Sequence, residues 1–392
     1  MAEHLAAYAE GQIQQGYRRH SIGRQIVAIS DFSQWLERKQ VGLPDLDEGV
    51  IRRFLRARHR QQRVRRGDPK ALKRLLDMLR AAGVITSNEP PTAGVWPKEI
   101  GDFRQYLLHD RRLSRSTALN YGPVVEQFLS RRFGNKPLDF SALCPSDITG
   151  FVVRQASRVS PLRAAMVVTA LRSYFRYLHH RGAISVDLAA CVPKVPGWSL
   201  SALPRFLPAR DVERVLNCCD RKTSAGRRNH AILLLLARLG LRACEVVALN
   251  LDDIDWPTGQ ITIYGKGGTS AQLPLPDDVG RALAAYLRDD RPRCSTRRVF
   301  VRDRAPLTGL GNSSTVSSLV RRALIDVGIR SRHMGAHVLR HSLATNMLRQ
   351  GGSLDEIGEV LRHQSPNTTA IYAKVDIDAL HSLALPWPGG GR

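Results

Sequence analysis

No stretch of this 392-residue chain stays apolar for long. The densest run, Ala231 to Leu241, is broken by Arg238. It falls short of the roughly 18 clean apolar residues that a bilayer span needs. The first residues carry Glu3 and Glu10 and no apolar block, so neither a secretory leader nor a membrane anchor is expected. Cysteine is sparse: six, at 144, 191, 218, 219, 244 and 294, and none in a CxxC pair. That excludes a zinc ribbon and a disulfide framework and leaves reduced, mostly buried thiols as the expectation. Acidic residues are also short, 35 against 59 Lys and Arg. They do not form the clusters that a metal-dependent nuclease requires.

What is abundant is positive charge. The net charge is +24 and the pI is near 10.7. The excess is +7 for residues 1–95, +8 for 96–200 and +9 for 201–392, so it is no detachable basic tail. Every third of the chain can face a polyanion. Hydrophobic residues at 43 % and charged residues at 24 % indicate a globular chain, and the length implies two or three domains.

Two proline-rich stretches divide the chain, Ser87 to Pro97 with three prolines and Cys191 to Pro208 with four. Proline removes a backbone donor and blocks helix, so both read as linkers. The division is then a module at 1–87, a linker at 88–97, a second module at 98–190, a linker at 191–208, a third module at 209–385 and a disordered tail at 386–392. The first two modules look alike. LLDMLRAAGVI (75–85) lies over YFRYLHHRGAI (174–184) at an offset of 99, with Gly and Ile matching. LPDLDEGVIRRFLRAR (43–58) resembles FSALCPSDITGFVVRQA (140–156), each with an acidic residue before an apolar run, as at a helix start. A tandem pair of small helical domains is expected.

Both modules carry helical periodicity. Ile100, Phe103, Tyr106 and Leu107 repeat at helix spacing, as do Val167, Ala170, Leu171, Tyr174, Phe175 and Leu178. Arg163, Arg172 and Arg176 fall between the apolar positions of the second set, giving an apolar stripe and a basic face. In the first module eight arginines lie between Arg52 and Arg66 with no acid among them, Arg53, Arg56 and Arg63 included. A solvated face is the plain reading. DNA contact is the sharper one, because like-charge repulsion at this density calls for an anionic partner.

The third module is mixed. Ile232 to Leu239 is apolar all round, as in a buried helix. Gln260 to Tyr264 and Ala271 to Leu275 are β-prone runs around a Gly265-Lys-Gly-Gly268 tip and predict a hairpin. Ser353 and Glu356 form a capping box that opens a helix running to Leu361. The GKGG tip is not a phosphate-binding P-loop, since Gln260 stands where the first glycine belongs and Gly267 follows the lysine. His333, His337 and His341 recur every four residues, but Met334 stands where a zinc-protease helix has Glu, and no third ligand is evident.

A different set survives. Arg242 sits in GLRACEV, Lys266 at the hairpin tip, His337 and Arg340 in HVLRHSLAT, His363 in VLRHQ and Tyr372 in TTAIYAKV. In this order and spacing the chain resembles the tyrosine recombinases, or phage integrases. The resemblance is strong over 205–380, and 96–190 look like the family's helical core-binding domain. Residues 1–87 resemble that domain more weakly, as an extra DNA-binding module. The chain departs from the pattern at Arg362, where the family usually has Gly before His.

The resemblance implies a mainly α fold with a small β-hairpin or sheet: helical N-terminal DNA-binding domains and an α+β catalytic domain. It implies strand transesterification by Tyr372, with Arg242 and Arg340 on the nonbridging phosphate oxygens, where planar guanidinium forks suit phosphate. His337 would be the acid or base nearest the tyrosine proton. His363 would donate to the phosphate, and Lys266 would protonate the departing 5′ oxygen. Glu245 either orients His337 or an arginine, or forms a structural salt bridge. No metal or other cofactor is expected, because the arginines supply the electrostatics.

The expected partners are double-stranded DNA, further copies of the chain in a tetramer on two duplexes, and accessory recombination proteins, with no membrane. The apolar positions Ile377, Leu380, Leu383 and Leu385 dock on a neighbouring protomer or pack in cis. The expected setting is the cytoplasm, nucleoid-associated, of a bacterium or in a phage or mobile element. Two alternatives stay open: a type IB-like topoisomerase or telomere resolvase, and a non-catalytic DNA-binding protein on the same fold.

Overall fold

The computed structural model describes residues 2–61, 65, 67–85, 97–134, 136–195, 206–265, 269–330 and 334–375. Arg63, Lys266, His333, nearly all of the 88–97 connection, most of 191–208 and everything after Val375 lie outside the described residues. Helices dominate. α1 (Ala2–Gln14), α2 (Arg19–Arg38), a 3-10 turn (Leu43–Asp45), α3 (Glu48–Gln61) and α4 (Asp68–Ala81) come first. They are followed by α5 (Pro97–His109), α6 (Arg115–Phe133), a 3-10 turn (Phe140–Ala142), α7 (Pro145–Ala156) and α8 (Pro161–His180). The same order therefore occurs twice.

The repeat extends to atomic detail. α4 and α8 end at the two glycines that the sequence overlay matched. Gly83 and Gly182 take φ of +70° and +68°, a left-handed region open to glycine at little cost. Each is followed by an amide that reaches back into the helix, Val84 N to Leu79 O at 3.0 Å and Ala183 N to Leu178 O at 2.9 Å. The matched Ile85 and Ile184 are both buried.

The chain divides into two compact units. One is Lys39–Val64 with Leu76–Ser199. In it the helical stripe read from the sequence forms the core: Ile100, Phe103, Leu107, Val167, Ala170, Leu171, Tyr174, Phe175 and Leu178 are all buried. Ser114 and Ser160 cap α6 and α8 by accepting from Thr117 N and Arg163 N. The other unit is Met1–Arg38, Arg65–Leu75 and Leu200–Arg392. Its N-terminal helices are joined by a polar cluster in which the Tyr8 hydroxyl donates to Gln25 Oε1 (2.7 Å) and Arg74 donates to Tyr17 Oη (2.9 Å).

The rest of this unit is built around α10 (Ser224–Arg238), whose residues Ala231 to Ala237 are buried without interruption. α9 (Ala209–Asn217), α11 (Ala243–Ala248), α12 (Asp277–Ala285), α13 (Ser313–Asp326) and α14 (His337–Arg349) pack on it. The hairpin of β2 (Gln260–Tyr264) and β3 (Ser270–Pro274) is extended to three antiparallel strands by β1 (Ile254–Asp255). Ile261 and Ile263 face inward while Gln260 and Tyr264 face solvent, the alternation of a half-buried strand. α15 (Leu354–Val360) opens on the expected Ser353–Glu356 box. α16 (Pro366–Thr369) and a 3-10 segment (Ala370–Val375) end the described chain.

One expectation fails. The six thiols are free, but Cys144 and Cys244 are exposed and the other four only half-buried. Cys144 stands at the N-cap of α7 and Cys244 in the outer face of the six-residue α11, positions that no core layer covers. Among the described residues no helix is long and apolar enough to cross a membrane.

Candidate functional site

The site gathers at the start of α14. His337 is the first residue of that helix, and Arg340 and His341 follow on the same face one turn on. Arg340 is only 4 % exposed. A charge so deep needs partners. Its Nη1 donates to the Gly240 carbonyl and its Nη2 to the Leu361 carbonyl. Burial, then Arg242 and Arg362, lower its pKa to about 10, so it stays a cation at neutral pH.

Gly240 permits this close approach of two chain segments. Its φ is +58°, and a Cβ there would stand 2.7 Å from Leu361 Cδ2. Two residues on, Arg242 is the N-cap of α11, with a side chain a third exposed. Glu245 lies at the third position of that helix with its carboxylate 3 % exposed. Its Oε2 accepts from the Arg242 backbone amide (2.8 Å), its Oε1 from Arg242 Nη1 (2.8 Å), and its Oε2 again from Arg362 Nη2 (3.1 Å). Of the partners left open by the sequence, Glu245 engages arginines.

The other groups come from the end of the described chain. His363 hydrogen-bonds through Nδ1 to Thr369 Oγ1 at 2.8 Å, and burial together with Arg340, Arg242, His341 and Arg362 lowers its pKa to about 4. Tyr372 is 1 % exposed, packed with Ala344, Ile357 and Leu361. Its hydroxyl lies 2.8 Å from His341 Nδ1. Burial pushes the phenol up to about 12, against a lowering by Arg340. Burial pushes His341 down to about 4, helped by His337 and Arg340. His337 remains open to solvent at its rim; the protein around it, Arg340 and Arg242 lower its pKa.

The structure thus brings Arg242, Glu245, His337, Arg340, His363 and Tyr372 to one locality. The imidazole nearest the phenolic proton is His341, not His337 as the sequence led us to expect. The 3-10 segment presents Tyr372 one turn further along α14, and the His337 and His341 ring centroids stand 6.3 Å apart. His341 entered the sequence reading only as a metal-ligand candidate, although its i+4 relation to His337 placed it on the same face. Lys266 lies outside the described residues. The flanking strands close with Gly265 N donating to Thr269 O at 2.7 Å.

Of the arginines singled out for nucleic acid, Arg52, Arg53 and Arg56 are exposed on α3, and Arg163 and Arg176 on α8. Arg172 is half-buried and donates to the Val192 carbonyl at 2.8 Å. Arg63 lies outside the described residues.

Residues 205–378 match the phage integrase family. The chain is 47 % identical over 99 % of its length to y4rA of Sinorhizobium fredii, named as an integrase/recombinase, and spans 95 % of that protein. It is 33 % identical to the tyrosine recombinase XerD of Listeria monocytogenes, over 70 % of this chain and 93 % of that one. In fold it resembles the XerH site-specific recombinase bound to a difH substrate, with a TM-score of 0.58 at 19 % identity over 76 % of this chain and 97 % of that one. It also resembles lambda integrase bound to a core site, with a TM-score of 0.54 at 17 % identity over 70 % and 93 % of the two chains. The chain belongs to the phage integrase family, the tyrosine recombinases.

Proposed function

We propose that the protein cuts and rejoins duplex DNA at specific sites, in the integration, excision or transposition of a mobile element. The Tyr372 oxygen attacks phosphorus, a tyrosyl–phosphate bond forms, the bond to the 5′ oxygen breaks, and Lys266 supplies the proton that the leaving oxygen takes up. The 3′-phosphotyrosyl link keeps the bond energy, so a 5′-hydroxyl from another strand reverses the step without ATP. Arg242 and Arg340 hold the nonbridging oxygens, and His363 donates to the phosphate. His341 takes the phenolic proton, a role supported by its 2.8 Å contact with the hydroxyl. No metal ion is assigned a part.

The observation that carries this reading is a buried phenol bonded to His341, next in the chain to an arginine whose fork is fixed by two main-chain carbonyls. Residues 98–190 act as the core-binding domain, 1–87 as an added DNA-binding module and 209–385 as the catalytic domain. Arg52, Arg53, Arg56, Arg163 and Arg176, exposed on their helices, contact the phosphate backbone. Four protomers assemble on two duplexes, with accessory recombination proteins as further partners.

The test is a nicked suicide duplex of the protein's own site, incubated in EDTA. A denaturant-stable protein–DNA adduct that vanishes in Tyr372→Phe is the expected result. Relaxation of any supercoiled plasmid irrespective of sequence would replace site-specific exchange with a topoisomerase. No adduct under any condition would leave a non-catalytic DNA-binding protein.

A further inference from the structure

Arg362 is an arginine in an unusual place. Its φ is +53°, in the left-handed region that favours glycine. Its side chain is 12 % exposed, so it lies under the surface rather than reaching for solvent. It donates from Nη1 to the Val360 carbonyl at 3.2 Å and the Leu239 carbonyl at 3.5 Å, and from Nη2 to Glu245 Oε2 at 3.1 Å. Arg340 links the next residues of the same two segments, Gly240 and Leu361. Two guanidinium groups therefore staple one segment to the other, and only Arg362 also reaches the carboxylate.

The division of the Glu245 oxygens is informative. Oε1 takes one nitrogen of the Arg242 fork, while Oε2 takes the Arg242 backbone amide and Arg362. With Oε2 so occupied, Arg242 cannot lay its fork on the carboxylate through two nitrogens, the geometry that guanidinium and carboxylate otherwise favour. Its Nε and Nη2 have no partner among the described residues, and its side chain is a third exposed. The surrounding titratable groups are His337, His341, His363 and Tyr372, and none supplies a second negative charge. Among the described residues the cluster thus holds three guanidinium groups, Arg242, Arg340 and Arg362, against the single carboxylate of Glu245.

We infer that Arg362 is a positioning residue: by occupying Glu245 it holds the Arg242 fork outward for a phosphodiester and adds the positive charge that a pentavalent phosphate transition state needs. The inference rests on the proposed phosphotyrosyl chemistry and goes beyond it. Arg362 touches no substrate; it sets how much of Arg242 is free to do so. In Arg362→Gly the backbone keeps its left-handed turn at lower cost. Glu245 then accepts a second Arg242 nitrogen and draws the fork back.

The experiment measures single-turnover adduct formation with the full chain and a suicide duplex. Arg362→Gly should slow it about tenfold or more, while site affinity changes less than about threefold because the side chain is not on the surface. Glu245→Gln in the Arg362→Gly background removes the carboxylate that retracts Arg242 and should recover most of the lost rate. On a duplex whose scissile phosphate is a neutral methylphosphonate, Arg362→Gly and the parent should cleave alike. Arg362→Asn, uncharged and tolerant of the left-handed region, serves if the glycine variant does not fold.

An unchanged rate in both Arg362 variants, or a defect that persists undiminished both in the double variant and on the methylphosphonate, overturns the inference and leaves the phosphotyrosyl reading standing. Failure of the parent protein itself to form an adduct overturns both.

Discussion

Replacing Gly240 with alanine should injure both the fold and the site. Two costs arise at this position. The backbone holds φ at +58°, where an L side chain costs about 1–2 kcal/mol. The new Cβ would meet Leu361 Cδ2 at 2.7 Å and Leu343 Cδ2 at 3.1 Å. Overpacking of this kind costs about 1–3 kcal/mol. The sum, about 2–5 kcal/mol, should lower the urea midpoint by about 1 M or more at ordinary denaturant sensitivity. The contact is relieved by moving Leu361 away from Gly240. Those two residues supply the carbonyls that accept from Arg340, so relief widens the cradle of a buried guanidinium. Under the proposed chemistry, a shift of even a few tenths of an ångström should cut single-turnover adduct formation by about tenfold or more. A Gly240→Ala protein with the parent urea midpoint and the parent cleavage rate would refute this account of the cradle.

Arg340→Lys keeps the charge but can reach only one of the two carbonyls, so adduct formation should fall by about a hundredfold or more in the suicide-duplex assay; near-parental activity would show that the bidentate hold is dispensable. Stability should also depend on pH. His341 and His363 titrate near 4 in the fold against 6.5 in the open chain, so protonation favours the unfolded state. Their contribution is full above about 6.5 and is lost as pH falls towards about 4, so urea midpoints should drop between pH 7.5 and pH 5 by less in His341→Asn than in the parent.

The helices were legible because burial in them follows period. The apolar stripe of α8 and the unbroken run in α10 are patterns that only a core explains, and the matched glycines at 83 and 182 signalled the helix repeat through a conformational need. The third strand was not legible, since Ile254–Asp255 is two residues long and carries no alternation. In the site, the residue types and spacings pointed to Arg242, His337, Arg340, His363 and Tyr372. What they did not reveal was which imidazole meets the phenol. That depends on how far the 3-10 segment runs along α14, a tertiary fact with no local signature. Arg362 was visible only as a departure, because its partner Glu245 lies 117 positions away in the chain.

The pKa values of Tyr372 and His341 bear on when the chemistry starts. In the structure the phenol stands at about 12 and its imidazole partner at about 4. Moving the proton from one to the other is therefore unfavourable in the buried pair. Tyr372 as a residue is also only 1 % exposed, so as it stands it is neither ionised at neutral pH nor open to solvent. Burial raises the phenol and lowers the imidazole, and the nearby cations deepen the lowering of the imidazole while themselves favouring the phenolate. Under the proposed chemistry, a phosphodiester entering between Arg242, Arg340 and His363 brings the missing negative charge. It offsets the cations that depress the imidazoles, which raises the proton affinity of His341. The tyrosine must then leave its cluster of Ala344, Ile357 and Leu361 to reach phosphorus, and leaving apolar burial lowers its own pKa. Under the proposed chemistry, bound substrate raises the imidazole and leaving burial lowers the phenol, so without DNA Tyr372 would be a nucleophile held silent.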